Sequence, residues 1–157
     1  MADKDKVQIA VIGVADADAA TRRLAYEVGR AITEAGAVLL CGGMGGVMEE
    51  AARGAQEAGG LVVGILPTDR RGSGNSYLDV EVVTDMGHAR NVILAHSADA
   101  LIAVAGSYGT LSEIAVGLKL GKPVIGLGTW DIPGVEKVDD PATAVARALS
   151  RLGGLRA

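Results

Sequence analysis

The sequence has one cysteine, one tryptophan, three tyrosines and no phenylalanine in 157 residues. Because Cys41 has no second cysteine to pair with, neither an internal disulfide nor a zinc site built from several thiolates can form. We therefore expect a reducing compartment, the cytoplasm. We also expect no resident metal and no required cofactor. Cys41 ends an aliphatic run, which is typical of a small core residue rather than a nucleophile.

The chain also lacks an excess of basic residues, since 15 Lys and Arg stand against 19 Asp and Glu, a net charge of −4. This balance argues against a nucleic-acid partner, although a small anionic ligand held by a few local donors is still allowed. No apolar run approaches the roughly 18 residues of a membrane span, and the segment MADKDK is charged where a signal peptide is apolar. We expect a protein that is neither exported nor embedded in a membrane.

The residues that are abundant are small and aliphatic, with 23 glycines and 49% hydrophobic residues. Aliphatic runs without polar alternation are typical of strands buried on both faces, and segments with helical spacing lie between most of them. This order predicts one domain over residues 1–157, a three-layer Rossmann-like α/β fold. Its doubly wound, mostly parallel sheet should have about six to seven strands. The predicted strands are Val7–Val14, Ala37–Cys41, Leu61–Leu66, Val80–Val83, Ala100–Val104 and Val124–Leu127.

Two further segments complete the predicted organisation. A final helix is expected over about Pro141–Leu152, since proline suits a first helical turn. Residues 67–79 hold turn formers without periodicity and predict an exposed loop. An alternative is a flap whose Arg70 or Arg71 reaches a bound anion.

Two glycine-rich segments align with each other without a gap. Residues 42–49, GGMGGVME, and residues 106–113, GSYGTLSE, share the pattern G-[GS]-x-G-[GT]-x-x-E, and each lies between a predicted strand and a predicted helix. Glycines at such a turn let backbone N–H groups approach a ligand, and the following helix offers unpaired amides and the positive end of its dipole. Together these features predict a phosphate cradle at the carboxyl ends of the strands.

The candidate ligand-binding residues come mainly from these two loops. A bland alternative is that the glycines serve only close packing and that Thr110 and Glu113 form a T-x-x-E capping box. A dinucleotide fingerprint and a P-loop both fail to fit, because the third glycine of the first motif and the G-K-[ST] ending of the second are missing. The candidates are Gly13, Gly42, Gly43, Gly45, Gly46, Glu49, Gly106, Ser107, Tyr108, Gly109 and Thr110.

Four segments together resemble the Lonely Guy superfamily, once labelled "lysine decarboxylase", whose signature is P-G-G-x-G-T-x-x-E. They are Asp85–Asn91, Ser97–Val104, Gly106–Glu113 and Gly121–Leu127, and the likeness extends from Gly13 to Leu127. Members of this superfamily include phosphoribohydrolases that cut the N-glycosidic bond of cytokinin riboside 5′-monophosphates or AMP. A second branch includes the molybdenum cofactor carrier proteins, which bind their ligand without known glycosidase chemistry.

The resemblance implies roles for individual residues. Gly106, Gly109 and Thr110 would hold phosphate, Glu113 would be the catalytic or sugar-binding carboxylate, and Arg90 would pair with it or with the ligand. The segment Gly42–Glu49 is closer to the carrier branch, and the chain departs from the hydrolase pattern at four positions. They are Ala105 for the signature Pro, Ser107 for its second Gly, Asn91 for a Lys, and Glu49 for a Gly.

These observations favour a carrier-like protein that binds a nucleotide or a molybdopterin-type cofactor. The alternative is a nucleoside 5′-monophosphate phosphoribohydrolase that uses Glu113 and Arg90, and a third hypothesis is a ligand sensor that acts on a partner protein. Nothing marks Lys119 or Lys122 as a Schiff-base lysine, so a lysine decarboxylase is not expected. The resemblance also implies a homodimer or homotetramer.

Several residues have a structural interpretation beside the functional one. Arg90 could be a surface arginine on a helix over Met86–Ser97, and the apolar faces near Val92–Leu94 and Leu111–Leu120 could be internal core. His88 could touch ligand, but a lone histidine is more often a surface residue. Trp130 could lie at a subunit contact or beside the pocket.

Overall fold

The computed structural model describes residues 5–156, which form seven strands and five α-helices. The strands are β1 (Gln8–Gly13), β2 (Val38–Cys41), β3 (Val62–Leu66), β4 (Val80–Val83), β5 (Ala100–Val104), β6 (Val124–Leu127) and β7 (Val135–Lys137). The helices are α1 (Ala19–Glu34), α2 (Val47–Glu57), α3 (Arg90–Ser97), α4 (Tyr108–Lys119) and α5 (Pro141–Arg156). A 3-10 turn, Gly87–Ala89, precedes α3.

The strands form one sheet in the order β4-β3-β2-β1-β5-β6-β7, and every neighbouring pair is parallel. The chain runs outward from β1 to β4, returns to the other side of β1 as β5, and continues to β7. The connections after β1 and β5 therefore leave in opposite directions, which creates a topological switch point where open parallel sheets bind ligands. The register pairs Gly13 with Val104 at this point. The predicted fold class is confirmed.

Helices cover both faces of the sheet. The core on one face holds Ile9 and Val11 of β1 with apolar side chains of α1, α2 and α5, whereas Ala10 and Ile12 belong to a second core with side chains of α3 and α4. Successive strand residues point to opposite faces, so both sets of side chains are buried. This double burial explains why the central strands are continuous aliphatic runs. Within residues 5–156, no helix combines the length and apolar character that crossing a bilayer requires.

The sheet edges differ from the sequence prediction. Val80–Val83 was predicted to be buried on both faces, and this is wrong, because Val80 is 45% and Val82 41% exposed. The reason is position: β4 is an edge strand of the sheet, with only β3 as a neighbour. At the other edge, β7 was not predicted because Val135–Lys137 has no aliphatic run.

The loop at residues 67–79 is exposed at residues 69–72, Ser76 and Asp79 and half-buried elsewhere. Arg70 and Arg71 are exposed and do not line the cavity described below. The far end of the loop is attached to the first glycine loop, since Asn75 donates its backbone N–H to Gly43 O at 2.8 Å and its side-chain amide to Met44 O at 3.0 Å. The 67–79 segment therefore contacts the first glycine loop through Asn75.

Candidate functional site

A cavity of about 190 Å³ lies at the switch point between β1 and β5. Larger surface hollows exist, such as one of about 350 Å³ lined by parts of α1 and the start of α5. We place the site in the smaller cavity because the four buried polar or charged side chains of the described residues all line it. The lining residues are Val11, Ile12, Gly13, Ala15, Gly42, Met48, His88, Arg90, Asn91, Ser107, Gly109, Thr110 and Glu113.

Arg90 is buried in this cavity with only 9% of its surface exposed. The interpretation of Arg90 as a surface arginine is therefore wrong: the helix begins at Arg90 itself, and the turn before it directs this first residue inward. Its Nε atom is buried and has no hydrogen-bond partner within the described part of the chain. Burial lowers the pKa of the guanidinium, and the nearby Glu113 acts in the opposite direction.

Gly42 makes room for this guanidinium. A Cβ atom built on Gly42 would lie 1.7 Å from Arg90 Nη1 and 2.8 Å from Met48 Sδ. Any larger residue would therefore overlap the arginine, so the absence of a side chain at the end of β2 positions Arg90 in the cavity. This is a packing role for a glycine that the sequence had assigned to ligand contact.

Glu113 lies beside Arg90 in the same cavity and is 9% exposed. Burial raises the pKa of its carboxyl group to about 7, while the positive charge of Arg90 opposes this shift. A carboxyl group with such a pKa exchanges its proton near neutral pH, which suits both acid and base roles.

The start of α4 corrects the capping-box alternative. Ser107, not Thr110, is the N-cap residue, and Thr110 Oγ1 accepts the backbone N–H of Ser107 at 3.3 Å. Thr110 is thus the third residue of the helix, and Glu113 lies one turn further on, outside the box. The box leaves the N–H groups of Tyr108 and Gly109 without a partner in the helical ladder.

Ala105 precedes this helix with a left-handed φ of +52°. A proline, the residue in the superfamily signature, cannot adopt this φ and would also remove the N–H that Ala105 donates to Leu127 O at 2.9 Å. We expect Ala105→Pro to lower the free energy of unfolding by about 3 kcal/mol or more. Ala105→Gly should change it by less than about 1 kcal/mol, because relief of strain and added chain entropy oppose each other. Urea unfolding of both variants checks this, and a wild-type value for the proline variant would contradict it.

The first glycine loop does not offer a matching cradle. The N–H of Val47, the first residue of α2, donates to Val14 O at 2.9 Å, so the protein itself occupies part of this helix end. Gly46 has a φ of +64°, and a Cβ there would lie 2.3 Å from Val14 O. This loop therefore packs against the connection after β1, and the two halves of the repeat differ in what their helix ends contact.

The structure brings only some of the predicted site residues together. Gly13, Gly42, Ser107, Gly109 and Thr110 line the cavity with Arg90 and Glu113. The remaining candidates lie in the glycine loops or in the first turn of the following helix and do not line the cavity, namely Gly43, Gly45, Gly46, Glu49, Gly106 and Tyr108.

Sequence reasoning gave little weight to several residues of the lining. Asn91 is buried, and its side-chain amide donates to Ser112 Oγ at 3.3 Å, which ties α3 to α4. Its position next to Arg90 was the available signal. Met48 and Ala15 carry no chemical signature, so only the fold shows that they reach the cavity.

Lys122 and Cys41 do not line the cavity, and their contacts are structural. The Lys122 ammonium donates to the carbonyl groups of Ala95, His96 and Ala98, at the carboxyl end of α3, over distances of 2.5–2.7 Å. A cation at this end of a helix satisfies orphan carbonyls and interacts well with the dipole. Cys41 is fully buried, and burial raises the pKa of its thiol to about 11.

The sequence matches the SLOG cluster4 family over residues 6–151. A protein of Archaeoglobus fulgidus described as uncharacterized is 51% identical over 145 residues, which cover 92% of this chain and 95% of that protein. The solved structure of the molybdenum cofactor carrier protein MCP from Chlamydomonas reinhardtii superposes with a TM-score of 0.86 at 37% identity. This alignment covers 94% of the present chain and 99% of the carrier protein.

A second group of relatives is matched over a shorter region. The cytokinin riboside 5′-monophosphate phosphoribohydrolase LOG5 of Arabidopsis thaliana is 41% identical over 76 residues. This match covers 46% of the present chain and only 33% of the length of LOG5. Together with the fold and the presence of Arg90 and Glu113 in one cavity, these similarities assign the chain to the SLOG cluster4 family, in the Lonely Guy superfamily and on its molybdenum cofactor carrier-like branch.

Proposed function

We propose that this protein binds a small phosphorylated ligand, a nucleotide or a molybdopterin-type cofactor, in the cavity between β1, α3 and α4. The observation that carries the proposal is the buried Arg90, whose Nε has no partner among the described residues. A buried cation is costly unless an anion or acceptors satisfy it. A phosphate group would supply both charge and acceptors, and arginine binds phosphate with two parallel hydrogen bonds.

The neighbouring helix supports the same ligand class. The free N–H groups at the start of α4 and the positive end of its dipole favour an anion near Ser107 and Gly109, which line the cavity with Arg90. The ion pairs found among the described side chains do not include Arg90. The guanidinium is thus available to the ligand.

A molybdopterin-type cofactor fits these groups through its phosphate. When bound, it would supply a pterin ring system that holds molybdenum through its own dithiolene sulfurs. The residues of this chain would hold the phosphomonoester with Arg90 and the first N–H groups of α4. The similarity to the carrier protein of Chlamydomonas reinhardtii supports this choice of ligand.

Glu113 favours a second candidate function, hydrolysis of a nucleoside 5′-monophosphate to a free base and ribose 5-phosphate. Cleavage of the ribosyl C–N bond builds positive charge on the sugar, which a nearby carboxylate stabilises, and a carboxyl group can protonate the leaving base or activate water. A pKa of about 7 gives Glu113 both forms at neutral pH. The short match to LOG5 gives this candidate weaker support.

Binding and turnover are tested on the same panel of nucleoside 5′-monophosphates. Calorimetry should detect binding, and Arg90→Met should weaken it by about 10- to 100-fold, the loss expected for hydrogen bonds to a charged group. Arg147→Met is the matched control, since Arg147 lies on α5 in an ion pair with Glu136 away from the cavity. Absence of binding to every nucleotide of the panel would refute the proposal that the ligand is a nucleotide.

Chromatography of the same mixtures distinguishes the two functions. We expect no free base from the wild-type protein if it is a carrier. Release of base that Glu113→Gln abolishes, with binding retained, would instead establish the hydrolase.

A further inference from the structure

The cavity is too small for a whole nucleotide or pterin cofactor. Its volume is about 190 Å³, whereas small-molecule sites usually measure roughly 300–1,000 Å³. A phosphate and an attached sugar-sized group would fill it. The remaining part of such a ligand, its flat heteroaromatic ring, must then rest on the surface at the rim.

Two aromatic side chains lie beside Ser107, one of the residues that line the cavity. Tyr108 stands in the sequence between Ser107 and Gly109, which both line the cavity, yet its own side chain is 82% exposed. Trp130 lies beside it, with the two ring centroids 6.0 Å apart and the ring planes at 32°. The whole chain has only four aromatic residues of the Phe, Tyr and Trp types, and two of them meet next to the glycine loop.

The two rings differ in how firmly they are held. Trp130 packs against the core of the α3 and α4 face, and its indole N–H donates to Ser107 O at 3.0 Å, which joins it to the loop itself. Tyr108 is the first residue of α4 and projects into solvent. An exposed aromatic ring beside a fixed one leaves a face available for stacking, and such contacts are tolerant of which flat ring binds.

We infer that Tyr108 and Trp130 form an aromatic shelf that stacks on the purine or pterin ring of a ligand whose phosphate lies against Arg90. This inference rests on the proposed function and extends it, because it names the part of the ligand that the cavity does not hold. The phosphate end is bound by charge, and the ring end is bound by stacking. Ligands that have a phosphate but no ring should bind through the phosphate contacts alone.

The single tryptophan of the chain provides the readout. We would titrate the protein with ribose 5-phosphate, AMP and GMP and follow indole fluorescence, which reports Trp130 alone. GMP tests whether the shelf accepts a pterin-like ring, since guanine shares its 2-amino-4-oxopyrimidine ring with pterins. AMP and GMP should quench the emission and bind more tightly than ribose 5-phosphate, which should leave the emission nearly unchanged.

Variants of Tyr108 test the shelf with little risk to folding, because this side chain is mostly exposed. Tyr108→Ala should weaken AMP and GMP binding by about tenfold, the typical loss of one stacked base, and leave ribose 5-phosphate binding unchanged. Tyr108→Phe should restore wild-type affinity. The matched control is Tyr26→Leu, which removes a ring on α1 that contacts Glu57 and Arg53 instead.

The outcomes separate the shelf from the phosphate site. Equal affinities for AMP, GMP and ribose 5-phosphate in the wild type would overturn the shelf and leave the proposed function standing. An equal loss for all three ligands in Tyr108→Ala would also overturn it, because Tyr108 would then act on the loop rather than on the ring. If none of the three binds, the proposed binding of nucleotides fails and the shelf fails with it.

Discussion

Glu113→Gln is expected to stabilise the protein relative to the wild type by an amount that grows by about 3 kcal/mol from acidic pH to pH 8. The folded-state pKa of Glu113 is raised by burial from 4.5 to about 7. The folded protein therefore binds this proton more tightly than the unfolded chain does. The stability associated with the protonated carboxyl group is complete below pH 4.5 and is lost as the pH rises through 7.

Urea unfolding of both proteins at intervals from pH 4.5 to 8 measures this difference. Other groups titrate in both proteins, so subtracting the two curves isolates Glu113. Glu34→Gln, at an exposed ion pair with Arg30 on α1, controls for the loss of a carboxylate as such. Parallel stability curves for the wild type and Glu113→Gln would show that Glu113 is not buried as the structure has it.

Gly42→Ala is expected to reduce affinity for a phosphorylated ligand by about 10- to 100-fold, as much as removal of the charged hydrogen bonds of Arg90. The new Cβ would overlap Arg90 Nη1 and also press on Met48. The arginine must leave its position, but the overlapped atoms belong to the ends of flexible side chains, so the free energy of unfolding should fall by no more than about 1 kcal/mol. Calorimetric titration and urea unfolding measure the two effects separately.

The matched control for this variant is Gly153→Ala. Gly153 lies on α5, and a Cβ there meets no heavy atom within 4 Å, so only the helix propensity changes. We expect ligand binding to be unaffected and the stability to rise slightly. Wild-type affinity in Gly42→Ala would mean that the arginine does not hold the ligand from this position.

The alternation of strands and helices could be predicted because each central strand is buried on both faces. Val11 and Ile12 point to opposite cores, so both must be apolar. This constraint can be recognised from neighbouring residues in the sequence. The edge strands follow other rules, because burial at an edge depends on neighbours that are distant in sequence. This is why the exposure of Val80 and the existence of β7 were missed.

The candidate site was predictable in its chemistry but not in its geometry. The residues Arg90 and Glu113 were chosen from the resemblance, and the structure places them in one cavity. The equivalence of the two glycine loops was misleading as a guide to contact. Both loops follow strands that pair with β1. The carbonyl group of Val14 accepts the N–H of Val47 at the start of α2, whereas the first N–H groups of α4 remain free beside the cavity. The ligand-binding roles of these residues remain predictions, and so does the expected homodimer or homotetramer.

The amino-acid sequence by itself determined the parallel α/β architecture, the position of the two glycine loops at strand ends and the family. These properties depend on residue patterns within short segments, where burial and turn geometry act locally. Only the tertiary structure decided that Arg90 is buried over Gly42 and that the Glu113 carboxyl group is desolvated. It also decided that Trp130 meets Tyr108 beside Ser107. These contacts join residues far apart in the chain, and the free energy of a buried charge depends on the surroundings that the whole fold supplies.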